Sequence, residues 1–99
     1  MTLTIDPAKA EIRALEKAID WRGKRVLELG CGDGRLTLRL ASLGPVRIEA
    51  LEPDAKLIRA ARKHLPSHYA KRIRYHIGST GQIKFPDDTF DIVVFSWVL

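Results

Sequence analysis

Short apolar runs alternate with stretches of helical spacing along most of the chain. The apolar runs predict four strands, at residues 25–29, 46–51, 73–77 and 90–99. The stretches between them predict helices from Asp6 to about Trp21, from Asp33 to about Leu43, and from Asp54 to Leu65. Residues 78–88 show neither an apolar run nor helical spacing and are predicted to form mainly loop.

Strands that alternate with helices are typical of an α/β fold with right-handed crossovers and a parallel sheet. We therefore expect a Rossmann-like parallel sheet with flanking helices, in which the four predicted strands take the order 3-2-1-4. The domain organisation we expect is an N-terminal helix within residues 1–22, followed by one ligand-binding domain over residues 23–99. Strand 4 is the most apolar, and we expect its outer edge to lack a neighbour and to self-associate or pair with a partner chain.

Composition narrows the class of protein further. The 99 residues are 45% hydrophobic and 29% charged, which is typical of a globular chain. Neither a membrane-spanning run nor a signal peptide is visible, so we expect a cytoplasmic protein. The single cysteine, Cys31, excludes an internal disulfide, and the three histidines lack the companions of a metal site.

Positive charge is concentrated in one segment of the chain. Residues 55–76 contain seven Lys or Arg residues and no Asp or Glu. A phosphate-binding surface is one interpretation, but aromatic residues are few there, and the cations near residue 63 suit the end of a helix. We expect a solvated face rather than a nucleic-acid interface.

The candidate chemistry lies where the first two predicted strands end. Residues 26–29 form an apolar strand containing Glu28, and glycines follow at positions 30, 32 and 34. A glycine-rich turn lets a ligand approach the main chain closely. Glu52 ends the next strand, 24 residues after Glu28, where a carboxylate can hold ribose hydroxyls. The two features together predict a nucleoside-containing ligand.

From Gly23 to Leu99 the sequence resembles the class I S-adenosylmethionine-dependent methyltransferases. The similar segments are residues 26–34, 51–54, 85–94 and 96–99, in the order found in that family. The resemblance implies the N-terminal half of the methyltransferase fold, S-adenosylmethionine as cofactor, and a methyl acceptor. Glu28 is expected to balance the ammonium group of the cofactor, and Glu52 to accept from both ribose hydroxyls.

The resemblance also implies a set of cofactor-binding residues and two departures from the family. The set is Glu28, Gly30, Cys31, Gly32, Gly34, Glu52, Pro53, Ser79, Thr80 and Ser96. Ser79 stands where the family usually has an acidic residue for the adenine amino group. The family's strands 5 to 7 are absent, so we expect little or no turnover from these 99 residues alone. No catalytic base is predicted, because methyl transfer depends largely on positioning.

Three interpretations remain open. In the first, the chain is the cofactor half of an enzyme that methylates a small molecule; the Asn-Pro-Pro-aromatic motif of nucleic-acid amino methyltransferases is missing. In the second, it is a catalytically incompetent cofactor-binding or interaction module. The third is an NAD-binding Rossmann domain. It fits poorly because the last glycine of the Gly-x-Gly-x-x-Gly fingerprint would fall on residue 35, which is Arg35.

Overall fold

A computed structural model describes residues 1–6, 12–86 and 89–96 of the chain. The elements in chain order are β1 (Thr2–Ile5), α1 (Ile12–Ala18), β2 (Arg25–Leu29), α2 (Arg35–Ala41), β3 (Arg47–Glu52), α3 (Ala55–Lys63), a 3-10 turn (Ser67–Tyr69), β4 (Ile73–Ile77) and β5 (Ile92–Ser96). The start of the predicted N-terminal helix falls partly on residues 7–11, and the end of the last predicted strand on residues 97–99. Both lie outside the described residues.

The strands form one parallel sheet in the order β1-β5-β2-β3-β4. The four predicted strands correspond to β2, β3, β4 and β5, so their predicted order is confirmed. The register aligns Glu28 of β2 with Ala50 of β3 and with Val94 of β5. All five strands therefore end at the same edge of the sheet, where the glycine loop begins.

The expectation of a bare β5 edge is wrong, because β1 covers it. Thr2 to Ile5 align with Val93 to Ser96, four of the five residues of β5, along its outer side. The terminal ammonium group of Met1 also donates to the main-chain oxygen of Asp91 at 2.9 Å. Main-chain groups that would otherwise be free to pair with a second chain are thus used within the molecule. Self-association was expected because this edge was predicted to be unpaired, and the pairing with β1 removes that reason.

The main core lies on one face of the sheet. Val26, Ile48, Ile73 and Val94 pack there against the buried apolar residues of α2 and α3, which are Leu36, Leu40, Ala41, Ile58 and Ala61. Trp21 follows α1, is 1% exposed, and donates from its indole N–H to the main-chain oxygen of Leu15 at 3.1 Å. Three helices on one face are what right-handed β1-α1-β2, β2-α2-β3 and β3-α3-β4 crossovers produce.

The second face of the sheet carries a small ionic cluster. The buried carboxylate of Glu49 contacts the Arg47 Nε at 3.2 Å and the His76 Nε2 at 2.6 Å. Phe85 and Phe90 pack edge to face above it, with ring centroids 5.0 Å apart. Residues 78–86 and 89–91, between β4 and β5, therefore cross this face as a loop, as predicted for residues 78–86, with Phe85 and Phe90 stabilising their position.

The ends of two helices test the predicted caps. The Asp54 side chain accepts from the N–H of Lys56 at 2.9 Å, which confirms it as the cap of α3. The cap of α2 is Gly34, at φ 86°, rather than Asp33. Asp33, the residue before this cap, accepts from the N–H of Arg35 at 3.3 Å. In the part of the chain that the structure describes, no helix has both the length and the apolar character of a membrane span.

Candidate functional site

The glycine loop is fastened to the neighbouring strand at its first turn. The N–H groups of Gly30 and Cys31 both donate to the main-chain oxygen of Leu51, at 2.9 and 3.1 Å. The N–H of Gly34 then donates to the oxygen of Cys31 at 3.1 Å and closes the turn before α2. The loop thus has a fixed conformation between the ends of β2 and β3.

Glu52 holds the next turn of the same loop. Its Oε1 accepts from the N–H of Gly32 at 3.1 Å, and its Oε2 accepts from the N–H of Asp54 at 2.9 Å. The residue is 7% exposed. A carboxylate has about four acceptor positions, so about two remain for further donors. The carboxylate is therefore oriented by the main chain on both sides and keeps capacity for hydroxyl donors.

A cleft of about 300 Å³ lies between the ends of β2, β3, β4 and β5. Its lining residues are Leu29, Gly30, Leu51, Pro53, Gly78, Ser79, Thr80 and Phe95. Four of the predicted site residues, namely Gly30, Pro53, Ser79 and Thr80, are brought together here. The cleft has mostly apolar walls, and one of them is Pro53, the residue that follows Glu52, an arrangement that suits a nucleobase near its ribose.

Three apolar walls of this cleft, Leu29, Leu51 and Phe95, were not predicted as site residues. Phe95 is 43% exposed and belongs to the predicted strand 4. In β5 its neighbours Val94 and Ser96 are buried, so Phe95 points to the opposite face. The alternation of side chains along a strand was the signal that distinguishes it.

Two predicted site residues are buried away from the cleft. The Oε1 of Glu28 accepts from the Thr37 hydroxyl at 2.5 Å, and its Oε2 accepts from the Ser96 hydroxyl at 2.6 Å. Glu28 is 0% exposed, and burial raises the pKa of its carboxyl, an effect that the two hydroxyl donors partly offset. Thr37 was not predicted, because nothing in its local sequence marks it as a partner of Glu28.

The last two predicted site residues, Cys31 and Gly34, are also buried. Burial, followed by the negative charges of Glu28 and Glu52, raises the pKa of the Cys31 thiol. A thiol that stays protonated is a poor nucleophile. Cys31 therefore contributes to the loop by packing. Gly34 lies against Tyr75, where a Cβ would come within 2.6 Å of the Tyr75 hydroxyl oxygen.

Tyr75 forms the floor beneath the end of the loop. Its hydroxyl oxygen is buried, and no hydrogen bond of good geometry reaches it. Burial raises the pKa of Tyr75, and the nearby Thr37 hydroxyl offsets only part of this effect. The contact fixes how closely β4 approaches the start of α2.

The basic segment lies on α3, the 3-10 turn and β4. Two of its guanidinium groups bind the protein's own main chain. Arg62 donates to the oxygen of Tyr75 at 2.8 Å, and Arg72 donates to the oxygen of Pro45 at 3.5 Å. Arg72 also stacks over the ring of Tyr69, with its central carbon 5.0 Å from the ring centroid. Part of the positive charge thus has a structural use.

The sheet order, the glycine loop fastened to β3 and the strand-end carboxylate define a class I methyltransferase fold, whose cofactor is S-adenosylmethionine. A family model described as a methyltransferase domain matches residues 26–99. The chain therefore belongs to the methyltransferase family, and it forms a partial domain of it.

Three comparisons illustrate the relationship. The chain is 36% identical over 85 residues to the ubiquinone/menaquinone biosynthesis C-methyltransferase UbiE of Geobacter sulfurreducens, covering 82% of the chain and 33% of the enzyme. It is 34% identical over 71 residues to the mouse 7SK snRNA methylphosphate capping enzyme, covering 70% of the chain and 11% of that protein. An S-adenosylmethionine-dependent methyltransferase from Mesorhizobium loti superimposes with a TM-score of 0.73 at 24% identity, over 92% of this chain and 41% of that one. The chain thus spans a third or less of these curated relatives.

Proposed function

We propose that this chain binds S-adenosylmethionine and serves as the cofactor half of an enzyme that methylates a small molecule. The observation that carries the proposal is the position of Glu52. Its carboxylate is held by the N–H groups of Gly32 and Asp54, and the next residue, Pro53, lines the apolar cleft. We propose that Glu52 accepts two ribose hydroxyls while the nucleobase occupies the cleft.

The residues of the cleft fit the rest of the cofactor. Pro53 and Phe95 offer apolar surface to the adenine ring, and Ser79 and Thr80 are exposed at the rim, where a hydroxyl can meet the adenine amino group. Gly30 and Gly32 leave the main chain open toward the methionine part. The bound cofactor supplies the methyl group on an activated sulfonium, and these residues orient it.

A small-molecule acceptor is proposed on two grounds. The relative that matches the larger share of the chain is, by its name, an enzyme of quinone biosynthesis. The mouse relative is named for an RNA, but Arg62 and Arg72 of the basic segment bind the chain's own main chain. We propose that the remaining cations form a solvated face. Salt-dependent retention of an RNA oligonucleotide, lost on replacing Lys56, Arg59 and Lys63, would contradict this.

The experiment is a calorimetric titration of the purified chain with S-adenosylhomocysteine, with NAD as the control ligand. We expect saturable binding of the first ligand only. Glu52→Gln should weaken it about 10- to 100-fold, because charge-assisted hydrogen bonds to the ribose are lost. Glu16→Gln, which removes the same charge from an exposed position on α1, should leave it unchanged.

The outcomes separate this proposal from its alternatives. A folded chain that binds neither ligand would be an interaction module of methyltransferase fold. Binding of NAD would support a dinucleotide-binding domain. We further propose a cytoplasmic location, with which the buried, unpaired Cys31 is consistent.

A further inference from the structure

We infer that Glu28 acts as a positioning residue, which ties helix α2 and the end of β5 to β2 through Thr37 and Ser96. It does not contact the ammonium group of the cofactor. This inference rests on the proposed function, since it assigns a role within the same site.

The contacts join three separate elements through one carboxyl group. Glu28 lies near the end of β2, Thr37 in the first turn of α2, and Ser96 at the end of β5. The two hydrogen bonds, 2.5 and 2.6 Å long, use one oxygen each. Glu28 and Thr37 are 0% exposed and Ser96 is 8% exposed. The carboxyl group is therefore an internal link, enclosed by the elements that it connects.

The same enclosure argues against a direct contact with an ammonium ion. Glu28 forms no ion pair within residues 1–6, 12–86 and 89–96, and its partners are neutral hydroxyls. A charged ligand group would have to lose its water and displace buried side chains to reach it, which is costly. Glu52, by contrast, is held by main-chain N–H groups and precedes Pro53, which lines the cleft.

The link has a direct consequence for the site. The glycine loop runs from the end of β2 to the start of α2, so the bond from Thr37 to Glu28 closes the loop onto the strand that it left. The bond from Ser96 holds β5 beside it, and Phe95, one residue earlier, lines the cleft. Loss of either bond should loosen the loop relative to the wall of the cleft.

Two ligands that differ in one part distinguish positioning from direct contact. S-adenosylhomocysteine carries the ammonium and carboxylate groups, whereas 5′-methylthioadenosine keeps only the nucleoside and the thioether. We expect Thr37→Val and Ser96→Ala to weaken both ligands by the same factor, about three- to tenfold, in calorimetric titrations. Ser67→Ala, at an exposed position of the 3-10 turn, is the matched control and should weaken neither.

Glu28→Gln provides the decisive variant. A glutamine side chain can accept from one hydroxyl and donate to the other, so the link persists without the charge. We expect it to keep the affinity for both ligands within about threefold. A loss of tenfold or more for S-adenosylhomocysteine alone, with 5′-methylthioadenosine unaffected, would show contact with the ammonium group and overturn the inference.

Failure of the proposed function is recognised separately. If the unaltered chain binds neither ligand, the proposed function fails and the link is judged by urea unfolding. Thr37→Val and Ser96→Ala should then lower the unfolding midpoint in the unaltered chain, but not in a Glu28→Leu background that lacks the carboxyl group. Equal effects in both backgrounds would mean that the hydroxyls do not act through Glu28, and would overturn the inference.

Discussion

Adding one methyl group at Gly34 should destabilise the protein far more than adding it at Gly32. Both glycines have positive φ, 86° and 58°, so alanine at either position costs about 1–2 kcal/mol of backbone strain. The surroundings differ. A Cβ at Gly32 meets nothing within 4 Å, whereas a Cβ at Gly34 lies 2.6 Å from the Tyr75 hydroxyl oxygen and 3.2 Å from the Cβ of Ala61.

The size of the difference follows from the packing. Overfilling a packed interior costs about 1–3 kcal/mol, and Tyr75 lies on a strand of the sheet and is only 6% exposed. We expect Gly34→Ala to lower the free energy of unfolding by about 2–5 kcal/mol, and Gly32→Ala by about 1–2 kcal/mol. The effect of alanine on the unfolded chain is common to both variants and cancels between them. A gap of about 2 kcal/mol corresponds to roughly 10 °C in Tm.

The assay is urea unfolding followed by far-ultraviolet circular dichroism, with Tyr75→Phe as the third variant. Removing the hydroxyl takes away the closest contact, so Gly34→Ala should cost at least about 1 kcal/mol less in the Tyr75→Phe background. Equal destabilisation by Gly32→Ala and Gly34→Ala would refute the packing argument. Strict additivity of Gly34→Ala and Tyr75→Phe would refute the role assigned to the hydroxyl.

Three further predictions concern other parts of the fold. Deleting residues 1–5 uncovers the edge of β5, so the shortened chain should self-associate in sedimentation velocity at concentrations where the intact chain does not. The Arg25 guanidinium and N–H, which donate to Asp91, lower the pKa of that carboxyl from 3.8 to about 2. Its contribution to stability is therefore present above about pH 4 and is lost as the pH falls toward 2. Asp91→Asn should show a shallower loss of Tm over that window, and an unchanged slope would contradict it. Because burial raises the pKa of the Cys31 thiol, iodoacetamide at pH 8 should modify it only after unfolding. Rapid modification of the folded chain would contradict this.

The sequence predicted those features of the fold that depend on local pattern. The bounds Arg25–Leu29 and Ile73–Ile77 and the cap at Asp54 are confirmed, because apolar periodicity and side-chain capping act over a few neighbouring residues. The strand order is also confirmed, since alternating elements and right-handed crossovers leave few arrangements. β1 was missed although Thr2–Ile5 alternates polar and apolar residues, because four residues are the shortest run in which this alternation indicates a strand. Pairing with β5, some 90 positions away, makes them a strand.

The candidate site shows the same division between local and distant determinants. The main-chain bonds of Glu52 lie within one strand-helix-strand unit, with Asp54 two positions away and Gly32 20 positions away. Glu52 and Gly32 were predicted as site residues, but the bond between them was not. The partner of Glu28 at Ser96 is 68 positions away, and no spacing rule relates the two. A motif identifies the residue types at a strand end, but only the surrounding elements decide whether a carboxyl group faces a ligand or links the fold.

The two carboxyl groups at these strand ends illustrate how environment assigns a role. Main-chain N–H groups can only donate, so both oxygens of Glu52 are acceptors, and an acceptor is what ribose hydroxyls require. A hydroxyl can donate or accept, so Thr37 and Ser96 can satisfy Glu28 in either protonation state. Burial raises the pKa of Glu28, so the protonated form that burial favours keeps its hydrogen bonds. We therefore propose that the same type of side chain serves binding at one strand end and cohesion at the other, because its donors differ.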